Sequence, residues 1–256
     1  MKGKLFKLVL CCVVAIMTLT ACGLPAGGGG GQSAAATLPP AQQATQPATQ
    51  ASTGKYFQED FNGSLTNWSQ FVINGSKVPK GGNPELVQGN FGTMSVGVKD
   101  GFLVFDLEGN GQWAYSIYDA QQYDDVRLDA SVENRGSSDN KVGLMCRYDG
   151  TEWYEFDVAN SGLYAIYEVA VQTDQTVVYS KLADGGYSKY KTGKDTNQLA
   201  VTCQGRTLTL FINGLQVKQI DDNQYELKNG KIGVSVWSNV TPPTTVGIDW
   251  IKIGQP

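Results

Sequence analysis

The 256-residue sequence contains no histidine. That one absence excludes a Ser-His-Asp or Cys-His hydrolase, a histidine-ligated zinc site and a histidine general base. Clusters of Lys and Arg are missing as well, and acidic residues outnumber basic ones by 24 to 20. An acidic chain without a basic stripe points away from nucleic acid and from anionic lipid as partners. Helical periodicity is scarce: no long segment repeats apolar residues at a spacing of three to four. From residue 22 to 54 charge itself is missing, and five consecutive glycines (Gly27 to Gly31) lead into a tract of Gln, Ala, Thr and Pro. Such a stretch buries too little apolar surface to offset its chain entropy, which predicts a disordered spacer over 22–54. Its typical end-to-end span is about 30 Å.

What precedes the spacer is informative. Lys2, Lys4 and Lys7 flank an apolar run from Leu8 to Leu19, and the sequence then reads Leu19-Thr20-Ala21-Cys22. The run is too short for a stable membrane span and reads as a secretory signal over 1–21. Its ending resembles the lipobox of bacterial lipoproteins. The resemblance implies cleavage before Cys22, lipidation of that cysteine with chains such as palmitate, and a lipid-anchored position on the extracytoplasmic side of the cell membrane. The alternative is an ordinary signal peptide with an incidental cysteine. Several acyl chains on one residue hold far more firmly than one. Loss of the three lysines leaves 17 basic against 24 acidic residues, a net charge of −7. Cys11 and Cys12 leave with the signal, so the remaining domain, residues 55–256, keeps only Cys146 and Cys203. In an oxidising space two cysteines suggest one disulfide; the other reading is a pair of buried thiols.

Within 55–256 the dominant pattern is alternation with a period of two. Strands are predicted at Phe102–Leu107, Val126–Glu133, Val142–Tyr148, Glu152–Ala159, Leu163–Ala170, Gln198–Cys203, Thr207–Ile212, Leu215–Ile220, Lys231–Trp237 and Thr245–Ile253. Asn213-Gly214 is a type I′ hairpin signal, and Asn229-Gly230 and Ser161-Gly162 read similarly. Ten to twelve short strands at this spacing predict an all-β, two-sheet antiparallel sandwich.

One hairpin can be worked out in register. Val142, Leu144, Cys146 and Tyr148 form one apolar face, and Tyr154, Phe156 and Val158 another. Only a three-residue loop, Asp149 to Thr151, puts both on the same side of a sheet. Cys146 then points into the core, while Met145, Arg147, Trp153, Glu155 and Asp157 share the outer face. Cys203 falls in phase with Leu199 and Val201, again inward, as a disulfide requires.

Four stretches carry a wider resemblance: Glu59-Asp60-Phe61-Asn62-Gly63 with Trp68, Gly143 to Tyr148 with Trp153-Tyr154-Glu155-Phe156, Asn197 to Gly205 with Leu208 to Gly214, and Gly230 to Val234 with Ile248-Asp249-Trp250. Together they resemble the concanavalin A-like jelly-roll superfamily, in the branch of laminin-G-like lectin domains, the exo-inulinase β-sandwich and 3-keto-disaccharide hydrolases. The fold hosts binders, hydrolases and passive spacers alike.

Several residues are candidates for chemistry. Glu155-Phe156-Asp157-Val158-Ala159-Asn160 parallels the Glu-x-Asp-x-x-Glu of the laminarinase and lichenase relatives, where both glutamates act in a retaining mechanism. Here the last position is Asn160, and an amide cannot donate and reclaim a proton. By resemblance to the keto-disaccharide hydrolases, Arg147 would orient a sugar oxygen and Glu155 would act as base; the plainer reading is a surface Arg-Glu pair. Sugar binding asks for aromatic faces beside polar groups, and Trp113, Tyr115, Tyr118, Trp153, Tyr164, Tyr187, Tyr190 and Trp237 are the pool, many of them destined for packing. The subset expected to meet a glycan ligand is Arg147, Trp153, Glu155 and Asp157. Asp60, Asn62 and Asp249 are candidates for a structural calcium ion, although no spaced calcium-loop motif is present and polar turns explain them better. No other cofactor is implied. Asp221-Asp222-Asn223 reads as a solvated turn. The expected product is a monomeric, membrane-anchored, lectin-like binder, with a glycan-active hydrolase or lyase and an adhesive envelope protein as alternatives.

Overall fold

The computed structural model describes residues 54–74, 85–87 and 94–256. Cys22, the signal and most of the spacer lie outside the described residues. Among those described there is no helix, and sixteen strands build two antiparallel sheets.

One sheet runs in the order β14 (Leu215–Asp221), β13 (Thr207–Ile212), β12 (Thr196–Gln204), β7 (Val126–Asn134), β16 (Thr244–Gly254), β5 (Phe102–Leu107) and β4 (Met94–Lys99), with β1 (Phe57–Glu59) also paired to β16. The other runs β11 (Val177–Gly186), β10 (Leu163–Val171), β9 (Glu152–Ala159), β8 (Asn140–Tyr148), β15 (Gly230–Ser238), β6 (Gln112–Tyr123), β2 (Trp68–Asn74) and β3 (Glu85–Val87). This is the two-sheet antiparallel sandwich the alternation predicts, and the jelly roll the resemblance implies. The ten predicted strands all form, three of them (β5, β9 and β13) with the expected bounds.

The inward phase of each strand fills one apolar core. Leu128 and Ala130 of β7, Leu199 and Val201 of β12 and Ile251 and Ile253 of β16 face Leu144, Phe156 and Val234 from the other sheet, all essentially without exposure. Cys146 on β8 and Cys203 on β12 are bonded across the two sheets, with Cα atoms 6.7 Å apart. Both cysteines point inward in their predicted phase. The pair closes a long loop, which stabilises chiefly by restricting the unfolded chain.

The hairpin signals fare unequally. Asn213 and Gly214 both have positive φ, 51° and 80°, and β13 and β14 pair directly as Ile212 and Leu215. This is a two-residue type I′ connection. Ser161-Gly162 ends a longer loop between β9 and β10, with Gly162 at φ 84°. Asn229-Gly230 joins no hairpin: β14 and β15 belong to different sheets, and Gly230 is instead squeezed against the Arg147 backbone. The Asp221-Asp222-Asn223 turn is likewise not solvated throughout. Asp222 is buried, accepting from the Tyr154 hydroxyl and from the backbone N–H groups of Gln224 (2.9 Å) and Glu226 (2.8 Å). Burial pushes its carboxyl upward, but these donors outweigh it and leave the net value below the ordinary one. It anchors the crossover from one sheet to the other.

Candidate functional site

The β8–β9 ladder fixes which side chains meet. Cys146 pairs with Tyr154, Met145 with Glu155 and Gly143 with Asp157, the register of a three-residue loop at 149–151. Extended across the sheet, one row on the outer face reads Phe71, Tyr115, Ser235, Gly143, Asp157, Ala165 and Asp184 from β2 to β11. Beside it, Trp113, Trp237 and Lys141 pair across β6, β15 and β8. On the other side, Ile117, Gly233, Met145, Glu155, Tyr167 and Lys181 form a third row.

These rows do not behave like a solvated sheet face. Phe71, Tyr115, Met145 and Trp153 are buried in a second apolar cluster, separate from the core. Phe71 stacks on Tyr115 with centroids 4.4 Å apart, and Trp153 meets both edge-on. Trp113 stacks on Trp237 at 5.2 Å. Such pairs add directional energy to the area they bury.

Within this aromatic layer lies a polar network. Glu155 is fully buried, and its carboxylate accepts from the Ser235 hydroxyl (2.5 Å), the Trp153 indole (2.9 Å) and the Tyr115 hydroxyl (3.1 Å). The Tyr115 and Tyr179 hydroxyls are 2.7 Å apart, which extends the chain to β11. Gly143 makes the room. A Cβ there would strike the Ser235 hydroxyl and come within 2.7 Å of Glu155 Oε1 and 2.9 Å of Asp157 Oδ1. Two carboxyls therefore converge over a residue that has no side chain.

Their electrostatics follow from that convergence. Burial first, and then the charge of Asp157, push Glu155 up to about 8 against the pull of its three donors. Burial raises Asp157 too, opposed by Lys141 and by a hydrogen bond with Glu155. Like charges this close do not both ionise near neutrality, so the pair holds one proton. Lys141 Nζ stands 3.9 Å from Asp157 Oδ2 and 4.2 Å from the centre of the Trp237 ring.

Asp157 and Lys141 open into a cleft of about 440 Å³, also lined by Tyr164, Tyr167, Lys181 and Asp184. Lys181 and Asp184 pair with each other. The cleft has the size of a small-ligand site.

Of the four residues expected together, the structure gathers Trp153, Glu155 and Asp157 and leaves Arg147 out. The β9 ladder is regular, but on the β15 side two residues of β8, Cys146 and Arg147, oppose the single residue between Lys231 and Gly233. This bulge sets Arg147 at φ 59° and turns its side chain away from Glu155. The buried guanidinium donates to the carbonyls of Asp124 and Leu227, approaches Asp125 at 3.4 Å and lines a separate cavity of about 560 Å³ with Arg206, Glu226 and Lys228. Burial lowers its pKa from the ordinary value. Asn160 is also absent from the face. Its amide donates to the Gly193 carbonyl, which Asn134 shares, inside a buried asparagine cluster.

The aromatic pool divides. Tyr118 and Tyr190 belong to the core, with Tyr187 against it. Tyr164 borders both core and cleft, and its hydroxyl donates to the Val217 carbonyl. Asp60 accepts from Gln58, Asn62 lies against Gly101, and Asp249 falls at the irregularity in β16. Among the described residues no three Asp, Glu or Cys side chains group as metal ligands would. The sequence reading missed Lys141, Gly143, Tyr167, Tyr179 and Ser235. Their signal was present in the outward phase: Gly143, Gly233 and Ser235 are small beside large neighbours, which marks space left for a crossing side chain.

No curated protein matches the chain. Among solved structures the fold is shared with a β-glucanase from Bacillus licheniformis (TM-score 0.54, 14% identity, 80% of this chain and 100% of that one). It is also shared with a glycoside hydrolase family 16 endo-glucanase from Bacteroides ovatus (0.55, 12%, 77% and 99%) and a galectin-like protein of unknown function from Bacillus subtilis (0.56, 8%, 79% and 96%). Residues 56–253, nearly the whole described unit, match the sequence profile of the 3-keto-alpha-glucoside-1,2-lyase-like domain, and the chain belongs to that family.

Proposed function

We propose that the domain binds a glycan in the cleft beside Asp157, as a module held to a membrane through lipid on Cys22. The observation that carries this reading is the cleft itself: a small-ligand volume on the sheet's outer face, lined by Asp157, Lys141, Tyr164 and Tyr167, with Lys141 also lying over the Trp237 ring. Aromatic faces pack on the C–H faces of pyranose rings, and carboxyls and hydroxyls satisfy ring substituents. The family description and the glucanase neighbours concern sugars, which fits this chemistry. A glycan array with the full chain tests it. Binding that falls at least about tenfold in Asp157→Asn and in Trp237→Ala supports the reading; binding unaltered by both overturns it. Membrane placement is tested by Cys22→Ser, which should move the protein from the membrane to the soluble fraction.

A second reading is a lyase acting on a 3-keto glucoside. The raised Glu155 carboxyl, sharing a proton with Asp157, favours it, because one member would take a proton and the other return one. This reading forgoes Arg147 and rests on the pair alone. Turnover of a 3-keto-α-glucoside that disappears in Asp157→Asn would support it, and no turnover by the unaltered protein would end it.

A further inference from the structure

Lys141 is poorly used as a cation. It stands on β8 diagonally across from Asp157 on β9, since Gly143 pairs with Asp157 and Lys141 with Ala159. Long side chains that are diagonal neighbours on one face reach each other. Here Nζ stops 3.9 Å from Asp157 Oδ2, too far for a hydrogen bond, and among the described residues nothing else accepts from it. The arginine pairs of the opposite face close to 2.8 Å. A pair whose carboxyl side chain is only 7% exposed repays its desolvation through close, hydrogen-bonded contact, and this pair has none.

The surroundings of the pair suit a reaction better than a salt bridge. The carboxyls of Asp157 and Glu155 meet over Gly143 and hold one proton between them. Glu155 is fixed by Ser235, Trp153 and Tyr115, and the Trp237 ring covers the amine from one side. An amine, a carboxylic acid and a second carboxyl able to take and return protons are therefore held together. Enforced proximity and a positioned proton carrier are what condensation of an amine with an acid requires.

We propose that Lys141 and Asp157 condense into an amide, an isopeptide cross-link between β8 and β9, with Glu155 carrying the protons. The Lys141 ammonium gives a proton to the Glu155 carboxylate while Asp157 holds the shared proton. The freed amine attacks Asp157 Cγ, the Nζ–Cγ bond forms, and the Cγ–O bond to the hydroxyl breaks. A second proton from the nitrogen, relayed through Glu155, lets that hydroxyl leave as water. The products are one amide, one water and a neutral Glu155, so the charge of the three side chains sums to zero before and after. No oxidant or activating group is consumed. The reaction removes every charge from the group, and with it the desolvation cost. The inference is independent of the glycan reading, because the amide lines the same cleft.

Mass measurement of the reduced, denatured full chain tests this, with Lys141→Arg prepared in parallel so that processing and lipid cancel. The unaltered protein should be lighter by one water than its sequence requires, and the variant should carry its full mass. Protease digestion of the unaltered protein should yield a branched peptide joining the segment around Lys141 to that around Asp157. Glu155→Gln keeps both reacting residues and should slow the appearance of that peptide after synthesis by about a hundredfold. An unaltered chain of full mass overturns the proposal. So does loss of one water without the branched peptide, the mark of a cyclic imide at a step such as Asp149-Gly150. Equally fast linkage in Glu155→Gln overturns the part given to Glu155; should that variant not fold, the comparison with Lys141→Arg decides alone.

Discussion

The outer faces of the two sheets answer the same problem in opposite ways. On the sheet containing β7, outward charges stay at the surface: Arg127 pairs with Asp129 and lies over Phe211, while Arg135 pairs with Glu133 and lies over Phe102. Each charge keeps its water, and each pair contributes little. On the sheet containing β9, outward Glu155 and Asp157 lie beneath an aromatic layer, where desolvation is costly unless every lone pair finds a donor. The first arrangement is adequate for folding. The second carries a desolvation cost that the first does not, and that cost distinguishes the two faces.

The comparison can be strained from its foundation outward. The two sheets are joined by Cys146–Cys203, 57 residues apart in sequence. Cys146→Ser, compared with the oxidised protein by denaturant unfolding, should lose about 4 kcal/mol if chain entropy dominates. Gly143→Val removes the gap over which the carboxyls meet and should cost about 2–3 kcal/mol through overpacking, measured as a lower midpoint with unchanged slope. An equivalent change at a solvated position on the opposite face should cost far less.

Glu155→Gln acts on charge instead of volume. Its folded value of about 8 exceeds the ordinary 4.5. Between those values the folded chain binds more protons than the unfolded one, so stability is greatest below about 4.5 and falls as pH rises towards 8. The slope attributable to this group approaches about 1.4 kcal/mol per pH unit. In the variant that decline should be absent, so the difference between the two proteins shifts in the variant's favour as pH rises. The smallest effect is expected at the other face, where Arg127→Ala should change unfolding free energy by less than about 1 kcal/mol and the change should shrink further in salt.

How far the sequence reaches is visible in particular residues. Alternation located β5, β9 and β13 because each has a plain core phase. It overlooked β6, where Trp113, Tyr115 and Ile117 on one side and Ala114 and Tyr118 on the other are all apolar, since both faces are covered. The loop length at 149–151 followed from matching two apolar faces, and it placed Glu155 and Asp157 correctly. Extending the same parity to Arg147 failed because a bulge depends on the partner strand, β15, and not on the local pattern. The cation beside Trp237 depends on three strands meeting and could not be read from any one of them.

β1 pairs with β16 so that Phe57 lies opposite Ile253. The first and last strands of the described unit are thus neighbours. Joining these two strands and reopening the sandwich at the tight Asn213–Gly214 turn would preserve every strand pairing while moving both free ends to another edge. Where this unit begins and ends is therefore a property separable from the pairing of its strands.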